Sequence, residues 1–207
     1  MPSNDTPTVS FTGDLPVTSG DATHEKILDA GLAQFTEFGL RRTSMDDVAG
    51  QAGVGRATAY RRFGDKHRLI QAVILRECQH QLALIEADIR ALDNPGEALL
   101  ESFVLAVTRA HAHPLLVRLL SSEPEDILPA LTVQWPVMMA LFRNRLAGQI
   151  QKAHDAGYVK VQDASELAEL MLRLMQSLLL SPEGVFSPRD EASIRRLTQC
   201  YLRPWLH

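Results

Sequence analysis

Three glycines, at positions 53, 55 and 64, divide one stretch of the chain so closely that only eight residues, RATAYRRF at 56–63, lie between the last two. Glycine enters the left-handed backbone region without steric cost, so it closes helices and opens tight turns. A segment this short between such stops suits two helical turns and little else. Ahead of it, Ser44 with Asp47 three residues on forms a capping-box pattern, and Val48 and Ala52 share one face. A second short helix therefore begins after Ser44 and ends at Gly53. Two short helices joined by Gly53-Val54-Gly55 make a helix-turn-helix. In the second of them Ala59 and Phe63 stand four apart and face inward, which turns Arg56, Thr58, Arg61 and Arg62 outward.

The flanks are helical too. Ile27, Leu28, Gly31, Leu32 and Phe35 recur at helical spacing before Gly39, and Asp65 caps a long helix carrying Leu69, Ile70, Val73, Ile74, Leu82, Ile85 and Ile89. Leu99, Leu100, Phe103, Val104 and Val107 mark a fifth helix that His113 and Pro114 stop, and residues 115–120 suit a short sixth. Three prolines within 121–136 predict an irregular segment there. The apolar set Val137, Met138, Leu141, Phe142, Leu146 and Ile150 then resumes the helical pattern, residues 164–180 form an apolar helix, and Ser187-Pro188-Arg189-Asp190 reads as the start of another. No alternating strand pattern of useful length and no internal repeat appears, so the chain is expected to be all-α.

Charge is distributed unevenly over these helices. Residues 41–76 hold eight basic and three acidic residues, while the remainder holds 13 basic and 22 acidic, in a chain of net charge −4. A basic module on an acidic body points to an anionic partner. An outward face of arginine and threonine suits the major groove of double-stranded DNA, where arginine donates two hydrogen bonds to guanine O6 and N7 and threonine meets a base edge or a thymine methyl.

Residues 43–69, TSMDDVAGQAGVGRATAYRRFGDKHRL, resemble the DNA-binding signature of the TetR family of bacterial transcriptional regulators. The resemblance implies a subunit of about nine helices: an N-terminal three-helix helix-turn-helix DNA-binding domain and a C-terminal helical domain for ligand binding and dimerisation. It also implies a repressor. Family positions place Thr43, Ser44, Tyr60 and Lys66 on phosphate, Arg56, Ala57, Thr58 and Arg61 at base edges, and Arg62 at the backbone. The family's usual serine or threonine cap of the recognition helix is here Gly55, which has no hydroxyl to offer. The corresponding domains are an N-terminal arm at 1–20, rich in Pro, Ser, Thr, Asp and Gly and expected to be disordered, a DNA-binding domain at 21–68, and a ligand-binding and dimerisation domain at 69–207.

A helix-turn-helix module normally acts in pairs on a palindromic operator. The helix at 164–180 carries Leu167, Leu170, Met171, Leu174, Met175, Leu178 and Leu179 over more than one face, and the final helix carries Ile194, Leu197, Tyr201 and Leu202. These last two helices are the expected homodimer device, joining as a four-helix bundle. The candidate lining of an effector pocket is Phe103, Val107, His111, Trp135, Met138, Met139, Phe142, Met171 and Met175, a set suited to an apolar or aromatic small molecule.

Other classes find less support. No phosphate loop, nucleophile elbow or HExxH motif occurs, no cofactor is indicated, and His111 and His113 are too poorly spaced to suggest a metal. Cys78 and Cys200 suit small buried hydrophobes. With no apolar run of membrane-spanning length and no signal-peptide pattern, a cytoplasmic chain without membrane attachment is expected. A helical protein whose basic stretch docks on an acidic protein surface, or an enzyme with an apolar pocket, are the competing readings.

Overall fold

A computed structural model describes residues 21–206, with the backbone alone for residues 135–138 and 141. The expected arm at 1–20 lies outside the described residues. Those residues are helical, with no strand among them, and no single helix is long and apolar enough to cross a membrane. They fall into two compact units, one formed by residues up to 79 together with 114–137, the other by residues 80–113 and 138–206. This cut by packing differs from the functional domains expected above, because 114–137 belongs with the N-terminal residues.

In the first unit, α1 (Ala22–Phe38), α2 (Met45–Gln51) and α3 (Arg56–Phe63) precede α4 (Lys66–Ile89), whose residues 66–79 belong here. α1 starts at Asp21, whose carboxylate accepts the His24 amide at 2.8 Å. Ile27, Leu28 and Phe35 of α1 are buried in the unit, as are Leu40, Val48, Ala59, Phe63, Leu69, Ile70 and Val73. Apolar burial of this kind is the main favourable term of folding.

The unit is completed by α6 (Pro114–Ser122) and α7 (Pro124–Leu131), which follow α5 (Pro95–Ala112) of the second unit. The expected irregular segment is thus largely helix. Pro124 occupies the first helical position, where its missing N–H is no loss, and Pro136 is the second residue of α8 (Trp135–Asp155). Of the three prolines in this segment, Pro129 alone lies beyond the first turn of its helix.

The elbow between α6 and α7 grips the turn between α1 and α2. Buried Glu123 accepts the Leu40 amide at 2.6 Å and the Arg41 amide at 3.3 Å. Arg41 donates through Nε to Asp126 at 2.8 Å and pairs with Glu125 at 2.6 Å, while Arg118 donates to the Phe38 carbonyl at 3.2 Å. Gly39, at φ +86°, lies directly beneath the Glu123 carboxylate, and a Cβ there would overlap it. Glycine is required at this position for its backbone conformation and for its lack of a side chain.

The second unit contains residues 80–89 of α4, together with α5, residues 138–155 of α8, α9 (Ala164–Leu180) and α10 (Glu191–Leu197). The chain continues as a π turn, Thr198–Leu202, and a 3-10 turn, Arg203–Leu206. Its core joins Leu99, Leu100 and Phe103 of α5 to Ala168 and Met171 of α9 and to Ile194. The final helix begins later than Ser187-Pro188 suggests: Asp190 is its cap, accepting the Ala192 amide at 3.1 Å, and Ser187 instead closes a turn onto Asp190. Cys200 is exposed rather than buried, while half-buried Cys78 of α4 has its thiol pushed up to about 12 by burial.

Candidate nucleic-acid interface

α2 and α3 are built as the sequence pattern requires. Ser44 accepts the Asp47 amide at 3.1 Å, and the Asp47 carboxylate accepts the Ser44 amide at 2.8 Å, a reciprocal cap for a helix of seven residues. The Ser44 hydroxyl also donates to that carboxylate at 2.6 Å. Through this hydroxyl and then the Ser44 amide, the Asp47 carboxyl is held below its ordinary range. Gly53, at φ +67°, makes the turn, and Gly55 caps α3 with no side-chain hydrogen bond.

On α3 the division into faces is as expected. Ala59 and Phe63 are buried, while Arg56, Ala57, Tyr60, Arg61 and Arg62 are exposed and Thr58 is half-buried. His24 of α1 is buried and stacks on Phe63 with ring centroids 4.8 Å apart, fixing the C-terminal end of α3 against α1. Lys66 opens α4 half-buried, and desolvation lowers its pKa against the pull of Glu123, Asp126 and Asp47.

Thr43 departs from its expected place at a phosphate. It is 2% exposed and donates its hydroxyl to the Gly39 carbonyl at 2.8 Å, with the Gln34 carbonyl 3.2 Å away. A hydroxyl committed to the end of α1 stabilises the turn and is turned away from solvent. Ser44, one residue on, is exposed.

Two partners of the basic face escape sequence reasoning. Arg56 pairs with Asp46 of α2 at 2.9 Å and lies 5.3 Å from the centre of the Tyr60 ring. Arg62 pairs with Asp21, the cap of α1, whose own pKa is lowered first by the His24 amide and then by Arg62. Asp46 and Arg56 lie on different helices, so no periodicity relates them. Asp21 does carry a signal, as an N-cap residue, but nothing in the sequence ties it to Arg62. Among the described residues Arg61 has no ion-pair partner.

Of the candidate pocket residues, Trp135 falls in the first unit and the others in the second, so the expected set does not lie within one unit. Phe103, Val107 and Met171 share the core of the second unit, with Met175 packed against it. Met139 is buried, Phe142 is half-buried, and half-buried His111 donates from Nε2 to the Leu178 carbonyl at 3.0 Å, joining α5 to α9. The side chains of Trp135 and Met138 lie outside the described residues.

The fold and the exposed basic helix define an all-α transcriptional regulator that meets DNA through a helix-turn-helix. Residues 27–73 match the family model described as bacterial regulatory proteins, tetR family. A regulator of Mycobacterium bovis, named as an HTH-type transcriptional regulator, is 25% identical over 169 residues, covering 82% of this chain and 86% of its own. Two solved structures share the fold. The TetR family repressor AlkX from a Dietzia strain, implicated in biodegradation of n-alkanes, matches with a TM-score of 0.66 and 22% identity, covering 90% of this chain and 95% of its own. The fatty acid degradation regulator FadR from Bacillus halodurans matches at 0.62 and 16%, covering 89% and 98%. Residues 27–73 thus carry the TetR-family DNA-binding signature, and the chain shares its fold with solved structures of such regulators. It is a DNA-binding transcriptional regulator and not an enzyme.

Proposed function

We propose that the protein is a ligand-responsive cytoplasmic repressor that occupies a palindromic operator as a homodimer. The observation that carries this reading is α3 itself, with two inward residues buried and three arginines exposed on the opposite side. Arg56, Ala57, Thr58 and Arg61 read base edges, while Ser44, Tyr60, Arg62 and Lys66 hold phosphate and set the register. In functional terms, residues 21–68 bind DNA and residues 69–207 bind effector and partner.

Leu170 of α9, Tyr201 and Trp205 are large apolar residues left exposed in one subunit, which supports pairing through α9 and the C-terminal turns. Ile194, Leu197 and Leu202 do not contribute to that surface, because they are buried within their own chain. The apolar character of Phe103, Val107, Met139, Phe142, Met171 and Met175 supports an apolar or aromatic effector. The n-alkane and fatty-acid contexts of AlkX and FadR are in keeping with that chemistry. Effector binding lowers operator affinity by favouring an arrangement of the two recognition helices that no longer matches successive major grooves.

Selection of bound sequences from a random duplex pool tests the reading. The wild type is expected to enrich a palindrome, and Arg56→Ala and Arg61→Ala to blur it, each at a cost of about 1–3 kcal/mol. Lys66→Ala weakens all duplexes alike and lowers the salt slope by about one. No enrichment at low or moderate salt refutes the reading. Mass measurement in solution tests the pairing, and a monomer at micromolar concentration refutes it.

A further inference from the structure

We propose that Asp46 is a specificity-determining residue, which positions Arg56 for a base edge and withholds its charge from phosphate. The inference rests on the assignment of α3 to the major groove, and goes beyond it by giving a role to an acidic residue on the neighbouring helix.

Asp46 Oδ2 holds one terminal nitrogen of Arg56, Nη1, at 2.9 Å. The Tyr60 ring lies 5.3 Å from the guanidinium carbon and limits its movement on a second side. Guanidinium is planar and presents its donors in a fixed fork. With Nη1 engaged, the edge formed by Nε and Nη2 stays free, and that edge carries the two parallel donors that guanine O6 and N7 accept. Asp46 therefore fixes the plane of the fork while leaving the edge a base needs.

The same carboxylate acts in the opposite sense on phosphate. Attraction to the DNA backbone is independent of sequence and scales with uncompensated positive charge. Arg61 has no ion-pair partner among the described residues, whereas a carboxylate beside Arg56 cancels part of its charge. A phosphate must displace that carboxylate or accept its repulsion. A guanine edge meets the free side of the fork without that exchange. One ion pair thus lowers affinity for arbitrary duplex and raises it for the correct one.

The pair is exposed on both sides, with 68% of the Arg56 side chain and 50% of Asp46 open to solvent, so its removal leaves the fold intact. The test measures affinity of Asp46→Ala for the duplex that the wild type enriches from a random pool and for a scrambled duplex of the same composition. Affinity for the scrambled duplex is expected to rise about two- to fivefold and affinity for the selected duplex to fall about two- to fivefold, the range for an exposed pair. Asp46→Asn, which removes the charge but keeps an acceptor, should gain on the scrambled duplex while losing less on the selected one. In an Arg56→Ala background, Asp46→Ala should leave the ratio of the two affinities unchanged.

Equal gains on both duplexes overturn the inference, because deleting any negative charge near phosphate would produce them. An unchanged ratio does the same, as does a ratio that shifts equally without Arg56. A wild type that selects no sequence overturns both this inference and the assignment of α3 on which it rests. A wild type that selects a palindrome, beside an Asp46→Ala variant that discriminates equally well, overturns the inference alone.

Discussion

At the elbow between α6 and α7, Asp126 has no exposed side-chain surface, whereas on α3 and α2 Arg56 and Asp46 keep most or half of theirs in solvent. Both regions lie in the same unit and both join arginine to aspartate at less than 3 Å. What separates them is what surrounds the pair. A buried carboxylate cannot exchange its partner for water without a desolvation cost, so Glu123 and Asp126 commit the α1–α2 turn to one geometry. An exposed pair gives up little on opening, so Arg56 can leave Asp46 for another anion. Burial makes one region a fixture, and exposure leaves the other free to exchange partners.

Substitutions that interfere with the grip should therefore register in stability, and those at the exposed pairs in DNA discrimination. Gly39→Ala is the most severe: it strains a left-handed residue and displaces the Glu123 carboxylate, for a loss of about 2–4 kcal/mol by urea denaturation. Glu123→Ala leaves the Leu40 amide without its acceptor and is expected to cost about 1–3 kcal/mol in the same measurement. A loss below about 0.5 kcal/mol for either variant would erase the contrast.

Ser44→Ala removes the cap of α2 and should cost about 1 kcal/mol at neutral pH. Asp47 adds a pH signature to this variant. Its carboxyl is held below the ordinary range in the folded chain, so its contribution is present above that range and disappears as pH falls through the folded value. The gap between wild type and Ser44→Ala should accordingly narrow in acid, which thermal melts across pH 2–7 (about the span of carboxylate titration) would reveal. Asp46→Ala stands at the end of the scale, with a stability change within about 0.5 kcal/mol, and a larger loss would move this pair into the class of the elbow.

Legibility in the sequence followed the range of the interaction. The limits of α3 and α9 could be read because glycine stops, acidic caps and apolar spacing all act within a few residues. So could the two faces of α3. The elbow could not, since Arg41 and Asp126 are 85 residues apart and neither sits in a motif. α7 was obscured by its own prolines, which break a helix from within but open one at its first turn. The hydroxyl of Thr43 was misread for a related reason: a residue next to an exposed cap looks available until its backbone partners, Gly39 and Gln34, are seen. In the second unit, apolar spacing marked Phe103, Val107 and Met171 as inward, but inward residues pack a core and line a pocket with the same periodicity.

The hydrogen bond from Leu40 to Glu123 closes a loop across 83 residues. During synthesis, α1, α2 and α3 can form from local contacts as soon as they leave the ribosome, yet the turn that sets their angle waits until α5 and α6 have also been made. Each doubling of such a loop adds only about 0.6 kcal/mol of closure entropy, so the delay is one of timing more than of free energy. A nascent chain stalled before residue 123 would carry a basic recognition helix whose mounting was unfinished, and the ability to choose among DNA sequences would arrive late in the birth of each molecule.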